Sequence, residues 1–152
     1  MSLDALLACA GYWHGTSTLL DPSCGVAEES LSRATVAPVL DGRFVRLDYT
    51  WSYQGAPQEG SLLLGMDPKT SLSSAHWIDT WHMGRAVMAC QGGASNSGAL
   101  SVRGSYAAPP GPDWGWRIDV IPEEEGMLRV TMFNISPGGE EELAVNTVYR
   151  RD

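Results

Sequence analysis

Positive charge is scarce in this sequence. Its 152 residues include 10 lysines and arginines against 18 aspartates and glutamates, which gives a formal net charge of −8. A surface of that sign repels phosphate backbones and anionic lipid headgroups unless basic residues cluster locally, and here the arginines are scattered. The composition therefore argues against nucleic acid and against a membrane surface as partners.

Long apolar runs and paired cysteines are missing as well. No apolar run approaches the roughly 20 residues needed to span a bilayer, and the first residues, "MSLDALLACAG", lack the basic region of a secretory signal. Cys9, Cys24 and Cys90 are widely spaced and form no CxxC motif, so neither a disulfide framework nor a zinc knuckle is indicated. We therefore expect a cytoplasmic protein with small, mostly buried thiols and no cofactor.

What is present is a series of short segments rich in β-branched and aromatic residues. Helical periodicity is confined to residues 3–9, where Leu3, Leu6 and Leu7 share one face before Gly11. Turn signals such as Asp41-Gly42 and Asp67-Pro68 separate the later segments. The candidate strands are residues 11–19, 29–38, 43–53, 59–66, 74–82, 86–91, 99–106, 114–122, 127–135 and 142–151.

Regular strand spacing with short turns indicates that consecutive strands pair antiparallel. Closing such a sheet into a barrel removes both of its exposed edges. We therefore predict one all-β domain over residues 1–152, an antiparallel up-and-down barrel of about ten strands with a short N-terminal helix. Segments 59–66 and 127–135 carry apolar residues on both faces, so a homodimer formed through the outer surface stays open.

Both ends of the chain resemble known barrels. The Gly11-Tyr12-Trp13 start and the Tyr149-Arg150-Arg151 end are similar to those of lipocalins and fatty-acid-binding proteins. In those lipocalin-like barrels the tryptophan plugs the floor and an arginine lies over its ring. The chain resembles more closely a lipocalin-like bacterial family, domain-of-unknown-function family 1579, over "LDGRFVRLDY" (40–49), "LLLGMDPKT" (62–70), "HWIDTWH" (76–82), "GALSVRGSY" (98–106), "WRIDV" (116–120) and "LAVNTVYRR" (143–151). The resemblance implies a fold but no agreed activity.

The stretch "AHWIDTWH" (75–82) is the most unusual in the chain. Strand alternation places Trp77, Asp79 and Trp81 on one face, and we expect that face to point inward because two consecutive outward tryptophans are unfavourable. Asp79 would then be desolvated unless it meets an arginine or a tyrosine hydroxyl. It could serve the fold alone, anchor a ligand, or act as a general acid or base. The opposite register, with His76 and His82 inside, stays open.

A metal or haem site is not expected. His76 and His82 share a face of the predicted strand but lie six residues apart, which is roughly 20 Å and too far for one ion. Nitrobindins are ten-stranded barrels with a similar G-x-W start, and their iron-binding histidine lies late in the chain. Here His82 is the last histidine, so the resemblance does not extend to haem.

The favoured function is binding of a small apolar or aromatic molecule in the barrel cavity. One alternative is a small-molecule enzyme with Asp79 as general acid or base, and another is a structural or dimerisation module with a filled barrel. The proline-rich loop "AAPPGPD" (107–113) is either a lid at the barrel mouth or a long hairpin connection. The predicted ligand-binding residues are Tyr49, Trp51, Trp77, Asp79, Trp81, Trp116 and Met132.

Overall fold

The chain folds into a closed antiparallel barrel in a computed structural model that describes residues 3–21, 25–93 and 98–152. A short helix, α1 (Asp4–Leu7), precedes ten strands. These are β1 (Gly11–Asp21), β2 (Val26–Val39), β3 (Phe44–Tyr53), β4 (Ala56–Met66), β5 (Ser73–Asp79), β6 (Met88–Gly92), β7 (Leu100–Tyr106), β8 (Trp114–Glu123), β9 (Met127–Ile135) and β10 (Glu141–Arg151). The predicted all-β fold with its N-terminal helix is confirmed.

The barrel closes because every strand pairs with its neighbours in the chain and β1 pairs with β10. Trp13 in β1 lies opposite both Ala34 of β2 and Arg151 of β10. Side chains alternate between lumen and solvent as period-two strands require, most regularly in β5, where every second residue is buried. The lumen thereby collects the apolar core, which includes Leu47, Leu62 and Ile118.

One end of the barrel, which we call the floor, is sealed by α1. The buried side chains of Leu3 and Leu6 lie over this end, and Trp13 is 2% exposed beneath them. The indole Nε1 of Trp13 donates to the carbonyl of Cys9 at 2.8 Å. The guanidinium of Arg151 lies 4.5 Å from the Trp13 ring and donates to the carbonyls of Ala8 and Ala10. The predicted tryptophan plug with its covering arginine is thus present.

The apolar side chains on the outer surface of β4 and β9 differ in how far they are covered. On β9, Phe133 is covered by the guanidinium of Arg117 at 4.0 Å from its ring, whereas Leu63 on β4 is exposed. The homodimer therefore stays a prediction.

Cys9 and Cys90 are buried free thiols, and burial raises the pKa of Cys90 to about 11. Cys24 lies outside the described residues. Within those residues, no helix combines the length and hydropathy needed to cross a bilayer.

Candidate functional site

A row of three residues runs across neighbouring strands near the other end of the barrel, which we call the mouth. Tyr49 of β3 lies opposite Gly60 of β4, which in turn lies opposite Asp79 of β5. A Cβ on Gly60 would approach the Tyr49 hydroxyl oxygen to 2.2 Å, so glycine is required for the ring to cross β4. The Tyr49 hydroxyl therefore reaches Asp79 and donates to Oδ2 at 2.6 Å.

Asp79 is the acceptor for four protein donors. Besides Tyr49, the Nε1 of Trp51 donates to Oδ2 at 3.3 Å. The backbone N–H groups of Trp81 and His82 donate to Oδ1 at 2.8 and 2.9 Å. A carboxylate that binds the next backbone N–H groups stabilises a turn. These contacts support the structural interpretation of Asp79 that the sequence left open, with the tyrosine rather than an arginine as its partner.

The turn after Asp79 corrects the predicted strand 74–82. Because β5 ends at Asp79, strand alternation does not extend to residues 80–82. His82, expected on the outer face with His76, instead points into the barrel beside Trp77. The estimate of roughly 20 Å between the two histidines assumed one continuous strand with both side chains on the same face, and the structure does not bear out that assumption. Among the described residues, no three His, Cys, Asp or Glu side chains are grouped to hold a metal ion.

The His82 ring lies within a cage of indoles. Its centroid is 5.7 Å from that of Trp51, 5.4 Å from Trp77, 4.7 Å from Trp81 and 5.3 Å from Trp116. Burial lowers the pKa of His82, and this outweighs the opposite effect of the Asp79 carboxylate. The imidazole is therefore mainly uncharged at neutral pH, with one nitrogen that donates and one that accepts. No described residue bonds to either ring nitrogen.

Two cavities meet at His82. The inner cavity, inside the lumen, has a volume of about 20 Å³, which suits roughly one water molecule. The mouth pocket has a volume of about 250 Å³. The inner cavity is lined by Ser17, Leu19, Tyr49, Trp51, Asp79, His82, Val130, Met132, Val145, Thr147 and Tyr149. The mouth pocket is lined by Leu19, Leu20, Asp21, Trp77, Trp81, His82, Met83, Met88, Tyr106, Trp116, Asn134, Glu142, Leu143 and Ala144.

One wall of the mouth pocket is a pair of stacked indoles. The rings of Trp77 and Trp116 lie 5.3 Å apart and 8° from parallel. The Nε1 of Trp77 donates to the Tyr49 hydroxyl at 2.9 Å. The Nε1 of Trp116 is buried and has no acceptor among the described residues. Leaving a buried donor unpaired costs about 1–3 kcal/mol, and in native proteins such a group calls for an explanation.

The structure divides the seven predicted site residues between the two cavities. Trp77, Trp81 and Trp116 line the mouth pocket, and the remaining four, Tyr49, Trp51, Asp79 and Met132, line the inner one. All seven therefore face cavities, but they do not surround one common ligand space.

Sequence reasoning missed several residues of the mouth pocket. The missed lining residues with polar or polarisable side chains are Asp21, His82, Met83, Met88, Tyr106, Asn134 and Glu142. His82 carried a detectable signal, because an aspartate side chain can accept from N–H groups shortly after it and so compete with strand continuation. Met83 lies in the same connection as His82, and the others come from five different strands and depend on tertiary register. The proline-rich loop 107–113 follows Tyr106, but none of its residues lines the pocket.

Comparisons with known proteins identify relatives by fold and family. The family described as "Protein of unknown function (DUF1579)" matches residues 4–151. A solved structure, Rv2717c from M. tuberculosis, superposes with a TM-score of 0.62 at 13% sequence identity. The alignment covers 99% of this chain and 96% of that one, so the likeness concerns the whole barrel and shows the fold alone. No curated protein matches the sequence.

Proposed function

We propose that this chain, which belongs to the DUF1579 family of proteins of unknown function, binds a small, flat aromatic molecule in the mouth pocket. The observation that carries the proposal is that Trp116, a lining residue of this pocket, has a buried indole N–H with no acceptor among the described residues. A ligand with a hydrogen-bond acceptor would pair with this donor and stack against the neighbouring aromatic rings.

The location at the mouth follows from the two volumes. The inner cavity has room for about one water molecule, whereas the mouth pocket, at about 250 Å³, is just below the usual range for drug-sized ligands and suits a smaller molecule. The ligand therefore sits above His82 rather than in the lumen below it. Tyr49, Trp51, Asp79 and Met132 support the site from behind, and Asp79 already accepts four bonds from protein donors.

The walls suit an aromatic ligand. The half-buried rings of Trp81 and Tyr106 line the pocket together with the buried, stacked indoles of Trp77 and Trp116, and the sulfur of Met88 adds a polarisable contact. Trp81 is held by an edge-on contact with Trp51, 5.9 Å between centroids, and by the backbone bond to Asp79. This support fixes the wall before a ligand arrives, which reduces the entropy that binding costs.

The proposal is tested by calorimetric titration with quinoline, a flat aromatic probe whose ring nitrogen accepts one hydrogen bond. Trp116→Phe removes the N–H and keeps an aromatic ring, so it should weaken quinoline binding about five- to tenfold. Trp114→Phe is the matched control, because it makes the same substitution two residues away on β8 at a position outside the pocket lining. It should leave the affinity unchanged.

Two results would contradict the proposal. Quinoline could fail to bind the wild-type protein at millimolar concentration, or Trp116→Phe and Trp114→Phe could reduce the affinity equally. The second result would mean that the aromatic content of β8, rather than the unpaired donor, governs binding.

A further inference from the structure

The charged groups of the mouth pocket all have one sign. Asp21 and Glu142 belong to the described lining, and that lining contains no lysine or arginine. Asp21 is buried, and its Oδ2 accepts from the Tyr53 hydroxyl at 2.7 Å. Glu142 is exposed at the start of β10. A negatively charged ligand would face two carboxylates here without a counter-charge in the lining.

His82 does not offset this polarity. Its lowered pKa leaves the ring mainly neutral near pH 7, so it adds no positive charge to the pocket. Arg85 follows the turn after Asp79 in the sequence, but its side chain is exposed and does not line the mouth pocket. Arg103 and Arg117 are engaged with Glu141 on the outer surface.

The uncharged part of the lining also favours a cation. Indole and phenol faces attract positive charge through their quadrupoles, and tryptophan does so most strongly. The pocket offers three indoles and the phenol ring of Tyr106. The net charge of −8 adds a long-range attraction for cations approaching the protein.

From these features, and resting on the proposed function, we infer that the mouth pocket selects aromatic molecules that carry a positive charge and rejects aromatic carboxylates. The aromatic body lies against Trp77, Trp81 and Trp116, and the cationic substituent lies toward Glu142 at the rim. Nitrogen heteroaromatics with an alkylammonium substituent represent the class, because their ring nitrogen keeps the hydrogen-bond acceptor.

The experiment compares three quinolines that keep the ring-nitrogen acceptor and differ mainly in charge: 3-(2-aminoethyl)quinoline, a cation; 3-methylquinoline, neutral; and quinoline-3-acetate, an anion. Each is titrated calorimetrically into the full chain at pH 7.5 and low salt. We expect affinity to fall in that order, by about two- to fivefold at each step. Higher salt should weaken binding of the cation and leave binding of 3-methylquinoline unchanged, because only the charged ligand is screened.

Glu142→Gln is the diagnostic variant. It should lower the affinity for the cationic quinoline about two- to fivefold, raise that for quinoline-3-acetate and leave that for 3-methylquinoline unchanged. Glu124→Gln is the matched control, since it removes the same charge at an exposed position in the β8–β9 turn at the floor end. It should alter none of the three affinities measurably.

The outcomes separate this inference from the proposed function. Equal binding of all three quinolines, or equal effects of Glu142→Gln and Glu124→Gln, would overturn the charge preference while ligand binding at the mouth stands. Failure of all three quinolines to bind would overturn both. Tighter binding of quinoline-3-acetate than of the cationic quinoline would contradict the inference directly.

Discussion

The floor and the mouth of this barrel each contain a nearly buried tryptophan, but the two indoles differ in their hydrogen-bond partners and in what lies beside their rings. Trp13 at the floor is 2% exposed and Trp116 at the mouth is 6% exposed. The N–H of Trp13 donates to Cys9, and Arg151 covers its ring. The N–H of Trp116 has no acceptor among the described residues, and the ring borders a pocket of about 250 Å³.

This difference shows that burial alone does not distinguish structural tryptophans from candidate binding residues. What separates them is whether the polar atom is satisfied and whether space is left beside the ring. At the floor the indole N–H has an acceptor and the ring is covered, which indicates a completed structural plug. At the mouth the described residues give the N–H no acceptor and the ring borders a pocket, which indicates a wall that a ligand would complete.

The largest effect should come from removing the floor plug. Trp13→Ala deletes a buried indole with its hydrogen bond and its cation–π contact, so the free energy of unfolding should fall by about 3–5 kcal/mol. Urea denaturation followed by circular dichroism measures it. Trp114→Ala, at a half-buried position, should cost distinctly less. Equal losses in the two variants would mean that Trp13 is no special plug.

A smaller effect should follow from breaking the support behind the mouth. Asp79→Ala leaves four donors without their acceptor, so the free energy of unfolding should fall by about 2–4 kcal/mol. Asp48→Ala is the control: its carboxylate also accepts from side chains, Arg46 and Ser61, but on the exposed outer face. That variant should lose no more than about 1 kcal/mol. If Asp79→Ala also lowered the free energy of unfolding by no more than about 1 kcal/mol, the role of Asp79 in holding the turn would be contradicted.

The smallest effect is the part of the pH dependence of the free energy of unfolding that arises from His82 at the mouth. His82 has a lowered pKa in the folded protein, so below about pH 6.5 the unfolded chain binds the proton more readily. Its contribution to stability is present above that pH and is lost as pH falls toward the folded-state pKa. The free energy of unfolding should therefore fall by about 1 kcal/mol from pH 7.5 to pH 5.5.

The His82→Phe variant isolates this contribution. It keeps an aromatic ring in the indole cage and should show a smaller drop over the same pH range, whereas His14→Gln on the exposed surface should not reduce the drop. If wild type and His82→Phe follow the same pH profile, the imidazole is not kept neutral by its surroundings.

Much of the fold could be predicted because strand alternation is a local signal. Val45, Leu47, Tyr49 and Trp51 of β3 alternate in the sequence and point inward in the barrel. The same signal failed after Thr80, where the N–H groups of Trp81 and His82 donate to the carboxylate of Asp79 instead of to a neighbouring strand.

Other features of the site depend on tertiary register. Gly60 matters only because it lies between Tyr49 and Asp79 across three strands. That Trp116 finds no acceptor among the described residues could not be predicted either, because it depends on which side chains β5, β7 and β9 bring next to it. Local patterns therefore specify which side chains face inward, while the mouth pocket arises from contacts between distant segments.

The most direct test of the contrast between floor and mouth is a quinoline titration followed by the indole N–H signals of the six tryptophans in ¹H–¹⁵N spectra. We predict that the Trp116 signal shifts most, that those of Trp77 and Trp81 follow, and that the Trp13 signal stays in place. A shift of Trp13 as large as that of Trp116, or no shift in any indole, would contradict the assignment of the mouth as the binding site.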